Sequence, residues 1–355
     1  MDEPHLCVFF VYRGVIMKDY SNILIIKMSS LGDVIHALPT LYALRQNLPH
    51  AKITWAIHEQ FASLLPGTPW VDEVIIIDKK QLKSPSYLWN LRKELHSRHF
   101  DMTLDLQCIA KSAIVSLLSG SPEKYGYWEL REGSQLVNKA LVGAHKYDHV
   151  IERYLDTVRA LGGEVDGVEF PMPHDHEAEG TIRNRLSELG VTDDYVVVVP
   201  GARWIVKEWP LLNFGELCIR LCESGKKVVI AGSPDDAEKG QFIENYVKSD
   251  NLINLVGQTT MAELIELIRH CHIFISADTG PLHIANALKK PLIALFGTTS
   301  PHRTGPYGGS HVHLIISPTS KATPEQSLVD DPDCMAQIPV DAVWDVYSEM
   351  LRKDL

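Results

Sequence analysis

Apolar residues fall along this chain in two alternating patterns. Short unbroken runs, Ile23–Ile26, Lys52–Ile57, Val74–Ile77 and Met102–Leu106, are separated by stretches with helical spacing, Val34–Leu48 and Tyr87–His99. Runs without in-and-out alternation predict strands buried on both faces, and strand–helix–strand order predicts a parallel sheet. A helix over Tyr147–Leu161 stops at Gly162-Gly163. Residues 164–190 hold a Pro/His/acid-rich segment and a helix over Ala178–Leu189, read as the crossing to a second half. There the pattern repeats, with strands at Tyr195–Val199, Lys227–Ala231, Leu252–Leu255, Ile273–Ser276 and Leu292–Phe296. Helices are predicted over 210–224, 235–248, 260–270 and 281–288, and a last amphipathic helix over Pro339–Leu351. The expected fold class is therefore α/β, with two Rossmann-like domains facing across a cleft and ligands at the carboxyl ends of the strands. The expected division is 1–20 as an N-terminal extension, 21–175 and 176–335 as the two domains, and 336–355 as a C-terminal helix packing back toward the first.

Bulk composition narrows the function classes. The 355 residues exceed one ordinary core, and 45% apolar with 22% charged residues describes a soluble globular protein. A net charge of −11 argues against a nucleic-acid binder. No run is long enough to span a bilayer, since Cys7–Met17 is interrupted by Tyr12 and Arg13. The same stretch makes a poor signal peptide, with Asp2 and Glu3 in place of a basic start. The six cysteines lack metal-type spacing and suit a reducing compartment. Sixteen histidines include no HExxH pattern, so no metal site and no cofactor is expected. Within residues 79–159, however, 13 Lys/Arg stand against 9 Asp/Glu, a net +4 island in an acidic protein. It reads either as ordinary solvated surface or as a patch for an anionic partner.

Four strand-to-helix turns carry candidate chemistry. In "SSLGDVIHALPTL", Ser29–Leu41, Asp33 either caps the helix or faces a ligand, where it could take a proton from a sugar hydroxyl. This turn has one glycine and no GxGxxG, which excludes the usual dinucleotide fingerprint. In "PGARWIVKEWP", Pro200–Pro210, Lys207 precedes a helix start, a suitable cradle for a diphosphate or a plain surface lysine. In "SADTGPLHIANAL", Ser276–Leu288, the Thr279 and Gly280 N–H groups would point at an anion, with His283 one turn further along. Asp278 would accept from sugar hydroxyls or cap the helix. In "AGSPDDAEK", Asp235 or Asp236 could accept from ribose hydroxyls or merely open a helix. Lys111 in "DLQCIAKSA" and Arg131 in "REG" belong to the basic island.

Taken together these stretches, with "LFGTTSPHRTGPYG" and "CMAQIPVDAV", resemble the glycosyltransferase family 9 heptosyltransferases of lipopolysaccharide core synthesis, in family order from about Asn22 to Tyr347. "DLQCIAKSA" and "REGSQLVNK" look most like the heptosyltransferase I type, which adds the first heptose to Kdo. Two departures from that type are Ala202-Arg203, where a threonine pair is frequent, and Asn138-Lys139 in place of Asn-Arg. The resemblance implies a GT-B fold and a metal-independent, inverting transfer of heptose from ADP-heptose to Kdo-lipid A. The first domain would bind the acceptor and the second the nucleotide sugar. By this pattern Asp33 matches the general base and Lys207 the diphosphate lysine. Asp236, Asp278, Thr279, Gly280 and His283 match donor-binding positions, and Lys111 and Arg131 match cations that meet the acceptor's anionic groups. It implies a cytoplasmic enzyme, peripheral on the inner face of the inner membrane. A family member with another donor or acceptor, and a nucleotide-sugar binder without catalysis, are the other readings; the pairing of Asp33 with Lys207 speaks against the last.

Overall fold

A computed structural model describes residues 16–192, 194–326 and 328–353. The chain divides into two units, the first ending at Pro171 and the second beginning at Met172.

In the first unit the strands are β1 (Asn22–Ile26), β2 (Lys52–Ile57), β3 (Glu73–Ile76), β4 (Met102–Asp105), β5 (Glu123–Tyr127) and β6 (Lys139–Leu141). Between them run α1 (Leu31–Asn47), α2 (Pro85–His96), α3 (Ala110–Leu118) and α4 (Val150–Ala160). The sheet order is β3-β2-β1-β4-β5-β6, and the paired strands are parallel. Helix α1 packs on α4, and nearly every residue from Val34 to Leu44 is buried. The central strands are covered on both faces, which is why Ile23–Ile26 reads as an unbroken apolar run.

The second unit opens with α5 (His176–Glu188) and continues through β7 (Tyr195–Val199), α6 (Leu211–Glu223), β8 (Lys227–Ile230), α7 (Ala237–Val247) and β9 (Leu252–Asn254). It goes on with α8 (Met261–His270), β10 (Ile273–Ala277), α9 (Gly280–Ala287), β11 (Leu292–Phe296), α10 (Pro301–Thr304), β12 (Val312–Ile316) and α11 (Val340–Lys353). Its sheet, β9-β8-β7-β10-β11-β12, repeats the order of the first. In both sheets the direction of winding reverses at the centre, between β1 and β4 and between β7 and β10. This is the switch point beside which open α/β sheets bind ligands.

The structure moves two expected boundaries. Residues 1–15 of the expected N-terminal extension lie outside the described residues, but its end, up to residue 20, is tied to the first unit. Tyr20 is buried and donates to Glu123 Oε2 at 2.6 Å, while Lys18 bonds Glu123 Oε1 at 2.6 Å. The terminal helix, expected to return to the first domain, buries Val343, Tyr347 and Met350 in the second unit's core with Trp209, Phe214 and Leu217. Strands β5, β6 and β12 escape the sequence pattern because strands toward a sheet's edge are shorter or partly solvated: EKYGY and KAL are mostly polar or small, and VHLII is only partly buried. The lysine-arginine island of residues 79–159 is also thinner than its composition. Arg153 is buried, donating to Asp148 O at 2.6 Å, and Arg98 is taken up by Glu73.

Trp209 locks α11 to the second sheet. It is fully buried, stands edge-on to Phe214 at 5.0 Å between centroids, and donates from Nε1 to Ile338 O at 3.0 Å. Trp209→Ala should therefore destabilise the protein by about 3–5 kcal/mol, measured by denaturant unfolding; an unchanged midpoint would show that α11 is held by other contacts.

Candidate functional site

The first unit gathers its polar groups at the carboxyl ends of β1, β4 and β5. Strand β1 runs directly into Lys27, whose side chain is only 3% exposed. A buried ammonium demands partners. Its Nζ donates to Leu106 O at 3.0 Å and to Tyr154 Oη at 2.8 Å, and Asp33 Oδ1 lies 4.0 Å away. Asp33 occupies the third position of α1. Its Oδ2 accepts Ser30 N–H at 3.0 Å and Ser30 Oγ–H at 2.6 Å, so it does close the helix start. The side chain nevertheless remains 42% exposed. Capping and access to a substrate thus coexist in one carboxylate.

On the neighbouring strand, Asp105 is fully buried. Its carboxylate accepts from Gln107 N, Cys108 N, Ser112 Oγ and Asn138 Nδ2, each at 2.8–2.9 Å. Burial nevertheless dominates and pushes its carboxyl up to about 6 against these hydrogen bonds and the Lys27 charge. Burial, then the charge of Asp33, likewise raises the Tyr154 hydroxyl well above its ordinary value. The loops are laced in series. Gln107 Oε1 accepts Met28 N–H and Ser29 N–H at 3.1 Å, and Arg131 N–H donates to Cys108 O at 3.0 Å. Asp33, Lys111 at the start of α3, and Arg131 therefore share the same edge of three adjacent strands. Both cations are exposed.

The second unit uses the same edge of its own sheet. Lys207 follows β7 and Asp278 follows β10, the two strands that flank the switch point. Lys207 Nζ bonds Asp278 Oδ2 at 2.7 Å, and the Thr299 hydroxyl donates to that same oxygen at 2.7 Å. His283 Nε2 stands 3.8 Å from Asp278 Oδ1. Burial would raise Asp278, but Lys207, His283 and Thr299 more than offset it and hold the carboxyl below its usual range. Asp278 is the inner partner at 7% exposure and Lys207 the outer at 19%. The buried carboxylate thus fixes the more exposed ammonium in place. Thr279 and Gly280 open α9, whose first N–H groups have no partner within the helix. Thr298 Oγ1, beside Thr299, is buried without a hydrogen bond among the described residues.

Asp236 joins this constellation from the loop after β8. Its Oδ2 accepts Ser233 N–H at 3.2 Å and Ser233 Oγ–H at 2.6 Å, and its Oδ1 meets Lys239 at 2.8 Å. Lys239 also bonds Glu208, the neighbour of Lys207. Burial works to raise Asp236, yet Lys239 and Ser233 hold it below its usual range. A Cβ at Gly201 would lie 2.2 Å from Asp236 Oδ1, so any side chain there would displace the Asp236 carboxylate from this position.

Lys27, Asp105, Gln107, Tyr154, Glu208, Lys239 and Thr299 were not singled out by the sequence. A lysine ending an apolar strand was the one usable signal. Most of the others take part through at least one contact more than twenty residues away in the chain, as Asp105 with Asn138, Tyr154 with Lys27, Glu208 with Lys239 and Thr299 with Asp278.

The family model described as glycosyltransferase family 9 (heptosyltransferase) matches residues 88–334. Lipopolysaccharide heptosyltransferase 1 of Pseudomonas aeruginosa is 28% identical over 306 residues, covering 82% of this chain and 83% of its own. Lipopolysaccharide heptosyltransferase 3 of Escherichia coli K12 is 26% identical over 338 residues, covering 91% and 96%. Among solved structures, E. coli heptosyltransferase WaaC with ADP superposes with a TM-score of 0.74 at 24% identity, covering 92% and 99%.

Asp105 gives this site a pH signature. Its folded value of about 6 lies above an unfolded value near 3.9. Its contribution to stability is therefore full below about pH 4 and is lost as pH rises through about 6. Asp105→Asn, neutral throughout, should gain on the wild type between those limits and hold a constant difference above about pH 7. Urea unfolding of both proteins across pH 4–8 measures this; a difference independent of pH excludes a raised Asp105.

Proposed function

The chain belongs to glycosyltransferase family 9, and on that premise we propose that it moves heptose from ADP-heptose to a Kdo-lipid A acceptor, with inversion and without a metal ion. Its fold is GT-B, and the heptosyltransferase relatives support transfer of a heptose in lipopolysaccharide core synthesis. The observation that carries the finer reading is the Lys207 ammonium, held by buried Asp278 beside the N-terminus of α9.

In this mechanism the donor diphosphate lies against Lys207 and the Thr279-Gly280 N–H groups, with Asp236 and His283 on the rest of the nucleotide sugar. Asp33 takes the proton of the acceptor hydroxyl as its oxygen bonds to the anomeric carbon. The bond from that carbon to the diphosphate breaks on the opposite face, which inverts the centre. The leaving ADP gains negative charge, and Lys207 with the α9 dipole stabilises it. Those fixed positive groups supply what a metal ion would otherwise provide. Support for ADP as the leaving group comes from the WaaC structure, which contains it. Lys111 and Arg131 would meet the carboxylates and phosphates of the acceptor.

A peripheral place on the inner face of the inner membrane goes with a lipid-linked acceptor. No helix among the described residues is long and apolar enough to cross a membrane. Leu136 and Tyr147 are 88% and 73% exposed on the first unit, which also carries Lys139 and Lys146. Such apolar and cationic side chains suit an anionic bilayer surface. A second reading keeps the chemistry but changes donor or acceptor, to a later heptose, another core sugar or a protein hydroxyl. It is favoured by the comparable likeness to heptosyltransferases 1 and 3.

Release of ADP with a panel of nucleotide sugars, with and without Kdo-lipid A, separates these readings. ADP-heptose with Kdo-lipid A should give the fastest turnover; a preference for another pair selects the second. Asp33→Asn retains an oxygen to cap Ser30 but loses its basicity. It should lower turnover by roughly 10²–10⁴ with ADP affinity intact, and near-wild-type turnover would remove Asp33 as the base. Lys207→Ala should weaken ADP binding in calorimetry by about tenfold or more, the loss of one charged hydrogen bond; equal affinity is incompatible with the diphosphate role.

A further inference from the structure

The Pro/His/acid-rich segment that opens the second unit has no part in the chemistry above. It reads Pro173-His174-Asp175-His176 and leads into α5. We infer that His174, His176 and Glu179 form a site for a divalent transition-metal ion of the zinc class.

The ligand atoms are already close. His174 Nε2 lies 3.0 Å from Glu179 Oε2, and His176 Nδ1 lies 3.5 Å from the same oxygen. One atom from each of the three residues falls within 4.8 Å of the others. Ligands bound tetrahedrally at Zn²⁺ distances of about 2.0–2.1 Å are separated by about 3.3 Å, so two of the three edges are near the required length. Two imidazoles with one carboxylate leave a fourth position for water, a donor set suited to zinc.

Helix α8 supplies what a preformed site needs behind its ligands. Glu266, 1% exposed, accepts the N–H of Asp175 at 3.2 Å, the residue between the two histidines. Arg269 bonds Glu266 at 2.8 Å and also donates to Pro173 O. The turn is thus gripped on both sides of His174. His270 Nε2 lies 3.0 Å from Glu179 Oε1, the carboxylate oxygen turned away from the two histidines. That nitrogen is buried yet makes no hydrogen bond in this geometry.

The cluster also lies apart from the transfer chemistry. His270 ends α8 shortly before β10 begins, whereas Asp278 follows the end of β10. The metal would therefore sit at the amino edge of the second sheet, where it ties the entry segment to the first turn of α5 against the supporting groups of α8. No step of glycosyl transfer passes through it.

Calorimetric titration of the full chain with Zn²⁺, in competition with a chelator of known affinity, tests the inference. One site per chain with micromolar or tighter affinity is expected at pH 7.5. His174→Ala and Glu179→Gln should each weaken it at least tenfold, while His58→Ala, in the first unit, should leave it unchanged. His176→Asn changes an exposed side chain and provides the same reading if His174→Ala fails to fold. Absence of a saturable site, or wild-type affinity in the folded His174 or His176 variant, overturns the proposal.

Discussion

Every strand pair among the described residues is parallel, and that constraint organises the rest. A parallel strand must be covered on both faces, so its residues are spent on packing and little chemistry can reside within it. The chemistry is displaced to one edge of each sheet, where consecutive strands end side by side. In each unit the two strands at the centre deliver a cation and a carboxylate to this edge: Lys27 and Asp105 from β1 and β4, Lys207 and Asp278 from the β7 and β10 loops. The repeated strand order makes the two units variations on one frame, specialised by what their loops carry.

The variations differ in which charge is hidden. In the first unit the lysine is buried and the exposed Asp33 faces outward. In the second, Asp278 is buried and Lys207 is the more accessible partner. In the second unit the inner Asp278 fixes the outer Lys207 at 2.7 Å, and in the first Ser30 holds Asp33 with Lys27 4.0 Å away, so each outer group has a defined position before any substrate arrives. A side chain held in this way loses little further freedom when it engages a ligand.

Much of this organisation was legible in the sequence. Unbroken runs such as Tyr195–Val199 and Leu292–Phe296 announced their strands because full burial leaves no ambiguity of face. Asp33, Lys207 and the Asp278–His283 stretch were visible because each stands where an apolar run gives way to a helix. Strands β5 and β6 were not, because near an edge the pattern dissolves into polar and small residues. The supporting groups were hidden for a different reason. Glu208, Lys239 and Thr299 take their meaning from partners in other loops, and Asp278 could not be recognised as the holder of Lys207 until the pairing of β7 with β10 brought them together. The His174–Glu179 turn was noticed only as composition, since the residues that grip it, Glu266 and Arg269, come from a helix about ninety residues later.

The ion pair of Lys207 with Asp278 joins residues 71 positions apart in the chain. Between Lys207 and the start of β10 lie two complete strands, β8 and β9, and the helices that cover them. Strand β10 must pass over both and insert beside β7 before the pair can form. Contacts of such separation are closed late, because the entropy of a long loop is lost before they reward it. A chain emerging from synthesis therefore has Lys207 long before it has anything to hold Lys207 in place. The ordered Lys207–Asp278 pair comes into being only with the centre of its sheet, and a half-built second unit holds Lys207 in no defined position.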